Sequence, residues 1–431
     1  MKRVLIYLFL LLPFNLLAQQ TLNLNNAIDT ALKNNFDILI AKNNTEISKI
    51  NNKFGVAGGL PTISATAGDN NSLYNLNQKL NTGDEIVRNN VSSNSINAGI
   101  SAGIVLFNGF KVLATKEKLN SIQAQSEIEF NLQVQNVIAA VMATYYDIIR
   151  QQSYLKIIES SMDVSSKKYD IVTERNKVGM ANEADLLQAQ MDFNLAEQNL
   201  KSQKLIVDQT KTNLLQIIGV KQFYEITVND TIFIDKNISK DSIFSFLDNN
   251  PEYLSAQQEI KINEQIVKEL SAQRYPSLKL NTGYNYTYNS SSAGLNLLTQ
   301  NYGPFVGASL LIPIFNGNIY KTQKNVALYN VKNSELQKES IFMSLKADAS
   351  KAYQSYESIL EQINSQEINY QNAAKLVNLV LQRFQLNQAT IIDIKTAQAS
   401  FENAGYMLIN LQYAAKVSEI ELKRLVYRLS Y

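Results

Sequence analysis

The sequence predicts an α+β chain, internally duplicated, with long antiparallel α-helical hairpins and four transmembrane β-strands. Three observations predict it. Short motifs recur in order at constant spacing, long stretches without helix breakers carry helical periodicity, and the segments between them alternate with a period of two. The repetition is the most specific of these. Asn35-Phe36-Asp37 is matched by Asn250-Pro251-Glu252, and Leu60-Pro61 by Tyr275-Pro276, both 215 positions on. Phe107-Asn108-Gly109 is matched by Phe315-Asn316-Gly317, and Asp185-Leu186 by Asp393-Ile394, both 208 positions on. The change of spacing places a net seven-residue insertion in the first half, between Pro61 and Phe107.

The chain opens with Lys2-Arg3, an apolar run from Val4 to Phe14, and Leu17-Ala18-Gln19. A charged start, a short apolar core and a small residue read as a signal peptide over 1–18. Without Lys2 and Arg3, 38 bases face 38 acids, a balance that gives no support for a nucleic-acid partner. The chain has no Cys, no His and no Trp. Thiolate and imidazole metal ligands and the common nucleophile–His dyads are therefore excluded. No catalytic residue, metal ligand or cofactor-binding residue is assigned. A secreted carboxylate enzyme would need paired acids in a pocket, and the Asp and Glu residues here are dispersed.

The first repeat is expected over 19–218 and the second over 242–431, joined by a linker over 219–241 with a small strand. Residues 110–176 contain no Pro and no Gly, and apolar side chains recur at helical spacing, as in Val137, Val141, Tyr145 and Ile148. One helix of this length spans roughly 100 Å. A second helix over 181–217 follows the Val178-Gly179-Met180 turn. The second half repeats the plan with helices over about 318–385 and 390–428, around Leu386-Asn387-Gln388.

The hairpins of strands are expected at about 62–107 and 277–315, with strands of about ten residues and long polar loops over 68–94 and 289–301. Leu278, Leu280, Thr282, Tyr284, Tyr286 and Tyr288 alternate with polar residues and Gly. Ile96, Ala98, Ile100, Ala102, Ile104 and Leu106 do the same. A tilted strand of about ten residues spans a bilayer. A membrane sheet must close, and four strands are too few to close alone. Three copies would supply twelve, with the polar face on water, the apolar face on lipid, and Tyr284, Tyr286, Tyr288, Tyr302 and Phe305 suited to an interfacial girdle. A soluble sheet packed on helices would alternate in the same way. Such a chain would be a soluble periplasmic coiled-coil scaffold, and membrane fractionation separates the two readings.

Taken together, Leu24-Asn25-Asn26-Ala27, the duplicated Asn motifs, the Leu-Pro and Tyr-Pro strand starts and the two Phe-Asn-Gly junctions resemble the TolC-like outer-membrane efflux proteins over nearly the whole chain. The resemblance implies a homotrimer in outer-membrane lipid, with a twelve-strand β-barrel continuing into a twelve-helix periplasmic α-barrel. It also implies docking to a periplasmic adaptor (membrane fusion) protein and an inner-membrane transporter of RND or ABC type. The implied function is a passive exit duct for efflux or type I secretion, gated at the periplasmic helical tip.

On that resemblance Asp185, Asp393, Phe384, Arg175 and Arg383 are gate candidates. Val178, Gly179, Met180, Leu386, Asn387 and Gln388 are expected to contact the adaptor. Three Asp393 carboxylates about 6 Å apart would repel by roughly 3 kcal/mol per pair at an effective dielectric of about 20. This sequence departs from the family at Asn387, where Gly is usual, and at Ala389 and Thr396, where Arg and an acid are common. Read from the residues alone, Asp185 and Asp393 sit in first helical turns and fit N-capping, and Arg175 and Arg383 fit binding of helix C-terminal carbonyls.

Overall fold

The computed structural model describes residues 20–429, so the expected signal peptide lies outside the described residues. The chain divides into two compact units. One comprises residues up to 42, 129–253 and from 341 onward; the other comprises 43–128 and 254–340.

In the first unit, the short strand β1 (Gln20–Thr21) is followed by α1 (Leu24–Asn34) and the start of α2 (Phe36–Asn51). The unit takes most of the long helix α3 (Lys111–Lys177) and all of α4 (Glu183–Ile217). A second short strand, β4 (Ile226–Thr227), pairs parallel with β1, and α5 (Lys240–Phe244) follows. The unit is completed by the larger part of α7 (Ile319–Gln385) and by α8 (Ile391–Leu425). Its core gathers Ile28 of α1, Val141, Tyr145 and Ile148 of α3, and Leu214 and Leu215 of α4. Val141, Tyr145 and Ile148 are among the periodic apolar positions expected from sequence.

The two Asn motifs share one geometry. Asn35 Oδ1 accepts from the backbone N–H of Asp37 and Ile38, which caps α2, while its Nδ2 donates to the Ile217 carbonyl at the end of α4. Asn250 does the same 215 positions later. It caps α6 (Pro251–Ala272) through the Glu252 N–H and donates to the Leu425 carbonyl at the end of α8. Each Asn thereby satisfies orphan groups of two helix termini at once.

The second unit holds a four-stranded antiparallel sheet in the order β2-β3-β5-β6. The strands are β2 (Thr62–Lys79), β3 (Glu85–Asn108), β5 (Ser277–Ser291) and β6 (Leu298–Leu311). The register aligns the alternating patterns. Ile63 pairs with Ala102, Ala102 with Thr282 and Thr282 with Val306; Ile100 pairs with Tyr284 and Ala98 with Tyr286. Directly paired residues point to one side, so the apolar positions of all four strands share a face.

Four expectations are corrected. The strands run 14 to 24 residues, and the connections 80–84 and 292–297 are short where long loops were expected. Polar side chains do not end the ladder because they bond one another: Asn94 Nδ2 donates to Asp69 Oδ1 at 2.6 Å and Asn71 Oδ1 at 2.8 Å. Leu106 falls at a bulge between Val105 and Phe107, so Phe107 takes the place opposite Leu278. Phe305 pairs with Gly283 and so belongs to the other face, apart from the tyrosines. A Cβ on Gly283 would meet the Phe305 ring at 2.8 Å, so the ring occupies the space a side chain would take. β6 ends at Leu311 although the apolar alternation continues to Ile314, because Pro313 has no N–H to give the ladder. No helix among the described residues is long and apolar enough to cross a membrane.

Candidate functional site

The expected tip residues lie at the turns of two helical hairpins in the first unit. In the first, Gly179 takes φ +75° and its neighbour Met180 donates from its N–H to the Arg175 carbonyl at 2.8 Å. In the second, Asn387 takes φ +60° and the Gln388 N–H donates to the Arg383 carbonyl at 2.8 Å. Both helices end with a left-handed residue that turns the chain and satisfies the last carbonyls. Asn performs the function usually given to Gly because its short polar side chain tolerates this conformation.

The following helices start with caps. Asn182 Oδ1 accepts from the Asp185 N–H at 2.7 Å. Thr390 and Asp393 form a reciprocal capping box: the Asp393 N–H donates to Thr390 Oγ1, and the Thr390 N–H donates to Asp393 Oδ2 at 2.8 Å. Hydrogen bonds from the Thr390 backbone and hydroxyl, with the Arg383 guanidinium nearby, hold the exposed Asp393 carboxyl below the usual carboxylate range.

The structure brings the two turns together. The Arg175 guanidinium donates from Nη2 to the Phe384 carbonyl and lies over the Phe384 ring, 4.6 Å from its centroid. This joins the last turn of α3 to the last turn of α7. Phe384 is only 3% exposed and packs with Val172, Leu381 and Ile394, so it is a packing residue of this junction. Arg383 donates to the Gln388 carbonyl of its own turn at 3.1 Å. Arg175 thus binds a carbonyl in the last turn of α7, whereas Arg383 binds a carbonyl of the turn beyond that helix's end. Val178, Met180, Leu386 and Ile392 are each about 70% exposed, which leaves four large apolar side chains at the turns facing solvent.

Sequence reasoning missed a polar cluster further along the same hairpins. Lys168 of α3 is wholly buried and donates to Asp192 Oδ2 of α4 at 2.5 Å. Gln188 donates to Asp192 Oδ1 at 2.8 Å, and Lys395 of α8 stands 3.4 Å from it. Burial pushes the Asp192 carboxyl up, but Lys168, Gln188 and Lys395 outweigh it and hold it below its ordinary value. One turn away, Gln398 donates to Ser161 Oγ and Ser165 Oγ, and Ser161 bonds Glu402. A lysine within a helix reads as a solvated residue, and nothing in the sequence marks Lys168 as buried.

Long helical hairpins, duplicated and carried with a four-stranded antiparallel sheet, define the class of α+β outer-membrane channels. The comparisons agree. The family model described as outer membrane efflux protein matches twice, over residues 27–220 and 243–426. The chain belongs to that family, and it is an outer-membrane protein of TolC-like efflux type. Outer membrane protein TolC of Vibrio cholerae is 22% identical over 382 residues, covering 86% of this chain and 83% of the relative. The pyoverdine export outer membrane protein OpmQ of Pseudomonas aeruginosa is 20% identical over 410 residues, covering 93% and 84%. Among solved structures, the outer membrane protein VceC of Vibrio cholerae matches with a TM-score of 0.72 at 17% identity, over 94% of this chain and 95% of that one. The Campylobacter jejuni CmeC outer membrane channel matches with a TM-score of 0.76 at 18% identity, over 95% and 87%. These last two likenesses are of fold.

Proposed function

We propose that this protein is the outer-membrane exit duct of a tripartite efflux or type I secretion system. The observation that carries the reading is the sheet. Among the described residues its order leaves β2 and β6 with an unpaired edge each, and its register gathers the alternating apolar side chains on one face. Open edges cannot stand in lipid. Three copies joined edge to edge give twelve strands, an even number within the range of outer-membrane barrels. The polar face, with Asn97, Asn281 and Asn285, lines the water-filled interior.

The helical hairpins extend into the periplasm. Their turns, with Val178, Gly179, Met180, Leu386, Asn387 and Gln388, meet a periplasmic adaptor, which couples the duct to an inner-membrane transporter of RND or ABC type. The duct has no catalytic step; the transporter supplies energy and selects the substrate. Asp393 and Asp185 face the entrance, and the Arg175–Phe384 contact holds the two turns of one protomer together. The native mass of the full mature chain, extracted from membranes in mild detergent, tests the assembly. A trimer from the outer-membrane fraction supports it, and a water-soluble monomer overturns it. Single-channel recording tests the entrance: Asp393→Asn lowers cation block, and unchanged conductance and block would remove Asp393 from the gate.

A further inference from the structure

At the sheet–helix junction of the second unit lies a groove of about 360 Å³, lined by Gly109, Phe110, Leu113, Glu117, Lys268 and Tyr275. Its first unusual feature is backbone strain. Phe110 has φ +67°, a left-handed conformation that is costly for a bulky side chain. The repeat-equivalent position, 208 residues on, carries Asn318 at φ +64°, a residue type that tolerates it. The ring gains no burial in return, being 66% exposed. Strain of this kind, kept at one copy of a turn where the other copy avoids it, points to what the side chain does.

The ring is held in a defined place. Phe110 packs edge to face on Phe107 at 5.4 Å, and Phe107 stands opposite Leu278 on the apolar face of the sheet. The groove therefore continues that face. Gly109 lets the two walls close, since a Cβ there would meet the Ala272 carbonyl at 2.6 Å and Tyr275 Cβ at 2.7 Å. Polarity changes along the groove. Phe110, Ala272 and Tyr275 lie at the sheet end, whereas Glu117 lies seven residues on from Phe110, about 10 Å along α3, and Lys268 four residues back from Ala272, about 6 Å along α6. Neither Glu117 nor Lys268 takes part in a salt bridge among the described residues. The walls come from the segments flanking β3 and β5, the central strands, so edge-to-edge partners at β2 and β6 do not join there.

We infer that this groove holds one zwitterionic phospholipid of the periplasmic leaflet, phosphatidylethanolamine, with an acyl chain along Phe110, Leu113 and Tyr275, its phosphate on Lys268 and its ammonium on Glu117. An apolar end continuous with the membrane face and one base beside one acid at the watery end match that molecule's own order of groups. The inference rests on the reading of the sheet as a membrane wall. Native mass spectrometry of the mature chain in mild detergent, with phosphatidylethanolamine or phosphatidylglycerol added, tests it. Phe110→Asn introduces the residue used at 318 and removes the strain, so the variant folds. Retained phosphatidylethanolamine is expected to fall about five-fold or more in that variant, a loss of roughly 1 kcal/mol. Glu117→Gln is expected to abolish the preference over phosphatidylglycerol, because only the ammonium distinguishes the two head groups, and Lys268→Gln to lower the retention of both lipids, because both carry the phosphate. Retention unchanged by Phe110→Asn overturns the site, and a preference unchanged by Glu117→Gln or a retention unchanged by Lys268→Gln overturns the corresponding head-group contact. The same spectra report assembly: trimers indifferent to Phe110 overturn the groove alone, whereas monomers overturn the barrel.

Discussion

Asn250 is 1% exposed and uses both ends of its amide, one on the start of α6 and one on the end of α8. Asn250→Ala removes a cap and leaves the Leu425 carbonyl without its donor, a cost of about 2–3 kcal/mol. A urea midpoint shift in the detergent-solubilised protein checks it, and Asn35→Ala should behave alike. The buried Lys168–Asp192 pair is a different case. Lys168→Met strands a carboxylate that retains only Gln188 and the more distant Lys395, so a loss of about 3 kcal/mol is expected. The sign with pH follows from the depressed Asp192 value. Its ordinary value is 3.8 and its folded value is lower. The ionised carboxylate therefore contributes its full stability above about pH 5, and the contribution is lost as pH falls below 3.8 and through the folded value. The stability gap between the wild type and Asp192→Asn should be flat from neutral pH down to about pH 5 and shrink in stronger acid. A gap that instead widens on acidification would contradict the assignment.

The helical hairpins show which parts of an element a sequence makes legible. The four long helices run Lys111–Lys177, Glu183–Ile217, Ile319–Gln385 and Ile391–Leu425, within three residues of the expected bounds. Absence of Pro and Gly, a left-handed residue at each turn and Asn182 or Thr390 before the next apolar run are local signals, so they survive without knowledge of partners. They also predict how the turns respond to change. Gly179→Val places a β-branched residue at φ +75° and should cost about 1–2 kcal/mol, whereas Asn387→Gly should be neutral or slightly stabilising. Thermal unfolding of the two variants separates them. The strands were less legible because their limits depend on pairing. Asn70, Asn71 and Asn94 look like loop residues until a neighbouring strand bonds them, and the bulge at Leu106 exists only relative to Leu278. At the candidate entrance, Asp393 and its capping box were readable from Thr390-Ile391-Ile392-Asp393. The Arg175 contact with Phe384 was not, since it joins residues 209 apart.

For the whole molecule the decisive question is what covers the two faces and two edges of the sheet. Within one chain Val306 is 76% exposed, although it pairs with Thr282 in the middle of the apolar face. Asn281 lies one rung away on the opposite face, opposite Gly307. If the sheet is one third of a closed barrel, these neighbours meet different media. Val306→Arg then drives a guanidinium into hydrocarbon and costs about 2–4 kcal/mol near the bilayer midplane. Asn281→Arg adds a charge to a water-filled interior, leaves stability nearly unchanged and alters ion selectivity instead. A soluble scaffold with its apolar face packed on protein would also reject Val306→Arg, so the pair must be read together with a solvent change. Urea unfolding out of phospholipid vesicles gives that reading: the difference between the two variants should grow as the acyl chains are lengthened and the hydrocarbon thickens, because only the lipid-facing arginine loses its route to the interface. A difference independent of acyl-chain length would mean that protein, not lipid, covers Val306, and the membrane wall would have to be sought elsewhere in the fold.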